Sequence, residues 1–403
     1  MMARYTLKKV QTEADEKVWL HADRAIYKGY SNWVCPLDDD IRKVFDPAHN
    51  EKLSHGEAIR WVAIDTATDR VVGRIAAFYD ANAADEYEQP TGGCGFFECI
   101  DDQCVANMLF DASRKWLTSK GMEAMDGPIN FGSRDNWWGL LVDGFDYPPL
   151  YGNQYHPPYY KALFENYGFQ NYFNQNSYIW KIGQDRLSEV AIAKAERIEA
   201  AGGYRVEDVR DTDLNTAAQY LRTIYNQAWA LFTGVKPMTE QQAQQMVDTL
   251  RPIIDRDIIY FAYHNDTPIG FFVMVPDLNC IIGKFKGRFG IINKLRLLWN
   301  LKVRHAADRM FGIIFGIAPQ YQGKGVESLI MRHILETYVR SGRSKYKAME
   351  FAWIGDFNPV MNKMIENYLC AKRHKMHTTY RYLFDRSKPF TRCPRVGIVR
   401  SKE

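Results

Sequence analysis

Apolar and polar positions along the chain switch between a period of two and a period near 3.6, and the switches mark out the elements. Residues 61–64 and 71–79 read as strands joined by a turn over 65–69, and 95–100 read as a third strand. Asp101 and Asp102 stand where a helix needs an N-terminal acceptor. Val105, Met108, Leu109, Ala112 and Trp116 then recur on one helical face until Gly121. From 126 to 160 no period survives. That stretch is rich in Gly, Pro, Asn and rings, among them Trp137, Trp138, Tyr147, Tyr151, Tyr155, Tyr159 and Tyr160. A loop of this length inside a domain is functional or tightly packed, so it reads either as a plug over the sheet or as a flat-walled acceptor pocket.

The pattern then repeats. Residues 184–201 are helix formers stopped by Gly202 and Gly203, which predicts a connecting helix over 184–203. A strand over 204–209, helices over 212–231 and 239–250, and a hairpin of 257–264 with 268–275 around Asn265 and Asp266 follow. Residues 310–317 form a continuous apolar run with two glycines, which predicts a central strand buried on both faces. After the next helix come a strand over 348–353, a helix from 356 to 367, and closing strands over 372–384. Strands alternating with amphipathic helices in two blocks give an α/β (α+β) class, with domains at 1–183 and 204–403.

The 403 residues suit two domains, and a net charge of +4 is no nucleic-acid footprint, so no DNA partner is expected. The charge is uneven. Residues 283–309 carry eight Lys or Arg against Asp308 alone, interleaved with apolar residues. This segment reads as an ordinary amphipathic insertion, an anionic-ligand site, or a membrane or RNA contact. No secretory signal and no apolar run near the roughly 20 residues of a bilayer span are evident, which predicts a cytoplasmic protein. The seven cysteines then default to free thiols; Cys94, Cys99 and Cys104 recur at five-residue steps, but they lack the close pairs and nearby His of a zinc motif, so no metal is expected.

Chemistry concentrates after the apolar run. Ala318, Pro319, Gln320, Tyr321, Gln322, Gly323, Lys324, Gly325 and Val326 form a glycine-containing turn between strand and helix, where unpaired first-turn amides favour an anion such as a pyrophosphate. The spacing matches neither a Walker loop nor a dinucleotide fingerprint.

Gln320, Gly323 and Gly325, with the Pro319 lead-in, resemble the acyl-CoA pyrophosphate loop of the GNAT (GCN5-related N-acetyltransferase) superfamily, whose pattern is Gln or Arg, two residues, Gly, one residue, Gly or Ala. The resemblance implies acetyl-CoA or another acyl-CoA as co-substrate, seated on Gln322, Gly323, Lys324, Gly325 and Val326. It also implies that Asn358 and the backbone of Gly316 and Ile317 lie along the pantetheine arm. Many members carry a tyrosine acid seven residues after that Asn; here Ile365 stands there, leaving Tyr368, Tyr380 and Tyr382 as substitutes. The chemistry needs a base for the acceptor amine, and Glu350 is the first choice, ahead of Asp356 and Glu327.

The first block resembles the same superfamily by element order and by Tyr159, Tyr160, Leu163, Phe164, Gly168 and Phe169. Its turn has Asp101 and Asp102 and no glycine, so it should repel a pyrophosphate. The expectation is therefore two tandem GNAT-like domains, each a mixed, mainly antiparallel sheet flanked by helices, with the first degenerate. The implied function is an acyl-CoA-dependent N-acyltransferase of the acetyltransferase type, moving the acyl group directly to a small-molecule or peptide amine. The alternatives are a non-catalytic CoA-sensing or protein-binding module, and an aminoacyl or fatty-acyl transferase on the same scaffold.

Overall fold

The computed structural model describes residues 4–84, 89–229, 237–340, 342 and 344–395. The ends of the expected domains at 1–3 and 396–403, and the last two residues of the helix expected over 212–231, lie outside them. The first half supplies strands β1 (Tyr5–Lys9), β2 (Gly56–Asp65), β3 (Arg70–Asp80), β4 (Thr91–Cys99), β5 (Ala124–Gly127), β6 (Leu140–Asp143) and β7 (Gln170–Lys181). Its helices are α1 (Glu13–Leu20), α2 (Ala22–Ile26), α3 (Asp38–Val44), α4 (Ala81–Ala84), α5 (Gln103–Ser119) and α6 (Tyr160–Tyr167).

The second half supplies α7 (Glu189–Ala200), β8 (Tyr204–Asp208), α8 (Leu214–Trp229), α9 (Glu240–Leu250), β9 (Ile259–His264), β10 (Thr267–Pro276), α10 (Asn279–Ile282) and α11 (Ile291–Lys302). It continues with β11 (Arg309–Ile317), α12 (Val326–His333), β12 (Ala348–Gly355), α13 (Pro359–Asn367) and β13 (Lys372–Leu383). Local chemistry explains several boundaries. Asp102 caps α5 by accepting the Cys104 amide, Thr239 and Gln242 form a capping box at α9, and Gly168 ends α6 in the left-handed region at φ 110°.

All the strands join one mixed, mainly antiparallel sheet, ordered β1-β2-β3-β4-β5-β13-β7-β12-β11-β10-β9-β8, with β6 paired to β13 off that path. The parallel pairs are β4 with β5 and β11 with β12. The two halves repeat this arrangement and exchange their closing strands. β13 pairs with β5 of the first half, and β7 pairs with β12 of the second. The division at 183 and 204 therefore describes the order of the chain, while each half of the sheet is completed by a strand from the other.

Apolar clusters fill both faces. Phe97, Leu109, Phe110, Phe164 and Phe169 form the core under α5 and α6, and Phe261, Phe271 and Val273 pack under α8 and α9. Met274, Ile330, Ile334 and Met349 belong to the core on the α12 side. Between them the exchanged strands carry an unusual amount of buried polarity, with Gln175, Asn176, Ser177, His374, Lys375, His377, Thr378 and Thr379 all buried. Several of these groups are hydrogen-bonded within or beside the two strands, as in Gln175 Nε2 to Thr379 Oγ1 at 2.8 Å and Thr378 Oγ1 to Asn174 Oδ1 at 2.8 Å.

Candidate active site

β11 and β12 run parallel only from the Arg309–Ala348 pair to the Gly312–Phe351 pair. Beyond it the two strands part, and the β12-facing backbone of 313–317 has no strand partner among the described residues. Both rims are irregular. On β11, Val273 and Met274 of β10 face Ile314 and Gly312, so Ile313 is a bulged residue, 39% exposed. On β12 the register against β7 shifts between Phe351 and Ile354, and Trp353 there holds φ 73°. A tryptophan in the left-handed region is costly, and such positions cluster at binding sites. The run over 310–317 is therefore not buried on both faces as its apolarity suggested, because it borders an open slot.

Its glycines also have a different cause. A side chain at Gly312 would meet the Phe272 ring at 2.7 Å, and one at Gly316 would meet the Phe271 ring at 2.8 Å. They are small so that rings from β10 can lie across the strand. The slot leads to the glycine turn, where Gln320, Gln322, Gly323 and Lys324 are exposed. Gly323 has φ 71° with open space where a side chain would start, and Gly325 begins α12 at φ 108°. The Gln322 amide donates to the Ile317 carbonyl at 2.9 Å, so it folds the turn back on the strand. First-turn amides of α12 have no helical acceptors and carry partial positive charge.

The helix expected as a connector has a second role, since α7 packs against this turn. The Lys194 carbonyl lies 3.1 Å from where a Gly325 side chain would begin, and Arg197 Nη2 donates to the Lys324 carbonyl at 3.4 Å. Lys194 Nζ donates to the Tyr368 hydroxyl at 2.6 Å and sits 4.0 Å from Glu327. Asn358 caps α13 by accepting the Met361 amide, and Asn362 Nδ2 donates to the carbonyls of Gly355 and Asn358. Ile365 is buried. Tyr368 meets Lys194, and the Tyr380 hydroxyl donates to Glu165, so neither hydroxyl opens on the slot.

The irregular stretch of the first half covers the slot's outer end. Trp138 packs edge-on to Trp353 with ring centroids 6.3 Å apart, and Arg134 lies over the Trp138 ring. Asp135, exposed beside them, accepts a hydrogen bond from the Ser133 hydroxyl at 2.6 Å. Across the gap, burial and then the Asp135 charge push the phenol of Tyr225 on α8 up. Asp135, Trp138, Tyr225 and Trp353 were not singled out as a group in the sequence, and their distance along the chain hid it.

The rest of the stretch is a plug. Its carbonyls cap a buried charge cluster: Arg309 Nη2 reaches Pro149 O at 3.2 Å, Lys375 Nζ reaches Pro148 O at 3.0 Å, and His377 Nε2 contacts Gln154 O at 3.0 Å. Glu350 sits inside this cluster with 0% exposure, 2.8 Å from Lys375 Nζ, 3.2 Å from His374 Nε2 and 3.7 Å from Arg309 Nη1. Burial alone would raise its carboxyl. Lys375, His374 and Arg309 outweigh that and hold it at about 2. A carboxylate so acidic, enclosed and paired is a poor proton acceptor, which removes Glu350 as the base and makes it an anchor for the exchanged strand. Asp356 pairs with Arg392 at 2.7 Å, and Glu327 lies in the first turn of α12, so neither replaces it.

The equivalent slot of the first half is closed. β4 and β5 pair only over Thr91–Gly93, but the chain after β5 stays on β4, with the Ile129 amide donating to Cys94 O at 2.9 Å. Tyrosines fill what remains: Cys99 N donates to the Tyr160 hydroxyl at 2.8 Å, and the Tyr159 hydroxyl donates to Cys99 O at 2.7 Å. Tyr160 in turn donates to the buried Glu98 at 2.9 Å. Among the described residues no group of three His, Cys, Asp or Glu is arranged to hold a metal.

No family model matches the chain. It is 28% identical over 367 residues to Protein YghO of Escherichia coli, covering 91% of this chain and 92% of that protein. It is 27% identical over 371 residues to a bacterial ceramide synthase of Caulobacter vibrioides, covering 89% and 92%. Among solved structures it is similar to a tandem GNAT protein from the clavulanic acid biosynthesis pathway, at TM-score 0.53 and 11% identity, covering 96% of this chain and all of that one. It also resembles a GCN5-related glucosamine N-acetyltransferase region in a fungal multi-domain β-N-acetylglucosaminidase, at TM-score 0.54 and 12% identity, covering 95% of this chain and 38% of that one. The chain has the tandem GNAT fold.

Proposed function

We propose that the protein is an acyl-CoA-dependent N-acyltransferase that transfers the acyl group directly to an amine. The observation that carries this reading is the slot between β11 and β12, open where its counterpart in the first half is closed, and continuous with an exposed glycine turn at the start of α12. A pantetheine arm fits beside the β12-facing backbone of 313–317, with Gly316 and Ile317 along it and Asn358 at its far side. The pyrophosphate then meets Gln320, Gln322, Gly323, Lys324, Gly325 and Val326. The first-turn amides, Lys324 and the bulk-free Gly323 suit a dianionic group.

In the transfer, the amine lone pair attacks the thioester carbonyl carbon and the carbon–sulfur bond breaks. The products are an amide and free CoA, whose sulfur takes up a proton as the nitrogen loses one. Backbone N–H groups at the Ile313 bulge supply donors for the developing oxyanion. Asp135 is the carboxylate we assign to draw in the acceptor ammonium between Trp138 and Trp353, and the ammonium releases one proton to solvent before its lone pair attacks.

Between acetyl and longer acyl groups we favour the longer. The slot's outer end is walled by apolar Ile313, Trp138 and Trp353, and a relative alike over nearly its whole length is named a ceramide synthase. Calorimetric titration with CoA, followed by thiol release from acetyl- to palmitoyl-CoA against short and long-chain amines, tests the reading. The expected result is micromolar CoA binding and thiol release that rises with chain length. No binding at millimolar CoA rejects the reading, and binding without thiol release from any pair leaves a CoA sensor instead.

A further inference from the structure

Among the described residues no helix is long and apolar enough to cross a membrane, yet α11 turns its apolar side outward. Leu297 and Leu301 face the core. On the opposite side Ile291 (78% exposed), Ile292 (68%), Leu295 (63%), Trp299 (59%) and Val303 (55%), with Leu298, form one stripe at spacings of three, four and seven. Among the described residues this stripe holds six of the twelve exposed large apolar side chains, so it is a patch and not scatter.

The stripe is ringed by charge of one sign. Lys284, Lys286, Arg288, Lys294, Arg296 and Arg304 are exposed, and among the described residues none of them forms a salt bridge, whereas cations elsewhere on the surface commonly do. Residues 283–307 contain no Asp or Glu. A second copy seated on this face would bring the two sets of cations together. At 12 residues the helix is about 18 Å long, too short to span a hydrocarbon core of about 30 Å but suited to lying in its surface. Trp299 is the side chain that best tolerates that boundary.

We propose that α11 docks the protein on the surface of an anionic lipid bilayer, its apolar stripe in the acyl boundary and its cations among the headgroups. The docking stands on α11 alone. That it brings the slot to a long-chain amine held in the bilayer rests on the function proposed above.

The test is co-sedimentation of the full chain with phosphatidylcholine vesicles containing 0 to 40% phosphatidylglycerol, as about a tenfold series of lipid concentrations. Binding should rise at least tenfold with the anionic fraction and fall with added salt. Leu295→Glu with Trp299→Glu should abolish it, and Lys294→Glu with Arg296→Glu should remove only its dependence on anionic lipid. Calorimetric CoA binding, unchanged in both variants, shows that they are folded and reports on the slot separately. Equal binding by the Leu295→Glu, Trp299→Glu variant, no binding by the wild type, or a wild-type dimer dissolved by those substitutions would each overturn the proposal.

Discussion

Glu350 on β12 and Lys375 on β13 lie 2.8 Å apart, both buried, although β7 runs between their strands. The pair fastens the exchanged strand across its neighbour. Removing one partner strands the other charge in the core, a change that costs about 3–5 kcal/mol in buried pairs. Glu350→Gln should therefore lower unfolding stability by that order in denaturant melts at pH 7. It should leave the shape of the pH–rate profile unchanged, and loss of a titrating limb would restore Glu350 as the base.

A second expectation concerns pH. Burial, with Asp23 adding to it and Arg74 opposing, raises the Glu98 carboxyl to about 7. The folded state then holds a proton that the unfolded chain releases near its ordinary value of 4.5. Stability from this site is full below 4.5 and declines as pH rises through 7, by about 3 kcal/mol in all. Glu98→Gln should gain on the wild type by that order between pH 4.5 and 8, and a flat difference would mean that Glu98 titrates normally.

At the glycine turn, Gly323→Asp places a carboxylate in open space facing the proposed pyrophosphate. CoA affinity should fall at least tenfold, equivalent to about 1.4 kcal/mol, with a loss of folding stability of only about 1 kcal/mol from the left-handed φ of 71°. Gly325→Asp should weaken binding and folding together, because φ 108° and the Lys194 carbonyl leave no room. Melting and titration of the two variants side by side separate these outcomes.

At the slot's outer end, Trp138→Ala and Asp135→Asn should raise KM for the amine severalfold while CoA affinity stays within twofold. Asp135→Asn should lose most against acceptors that are fully protonated at the assay pH. A variant whose CoA affinity falls in parallel would place these residues on the donor side.

Elements whose causes are local were legible in the sequence. The N-cap at Asp102, the helix start at Thr239 and the Gln320–Gly325 turn each need only a few consecutive residues, and each stands where the pattern put it. What depended on distant partners was not legible. The acidity of Glu350 comes from Arg309, His374 and Lys375, and the ring contact that narrows the slot joins Trp138 to Trp353. Nothing near residues 170–181 or 372–383 signals that these strands trade places. The basic segment showed its alternation of charge and apolar residues, but which side of α11 faces outward depends on what Leu297 and Leu301 meet.

The crossed closing strands also order events during synthesis. Gly127 pairs with Tyr380, so the first half emerges from the ribosome with β5 facing a gap until residues 372–383 have followed. Contacts so remote in sequence form slowly, and an open β5 edge is sticky in the interval. The nascent first half should therefore engage chaperones that bind unpaired edges, and a separately expressed peptide covering 372–383 should compete for the gap.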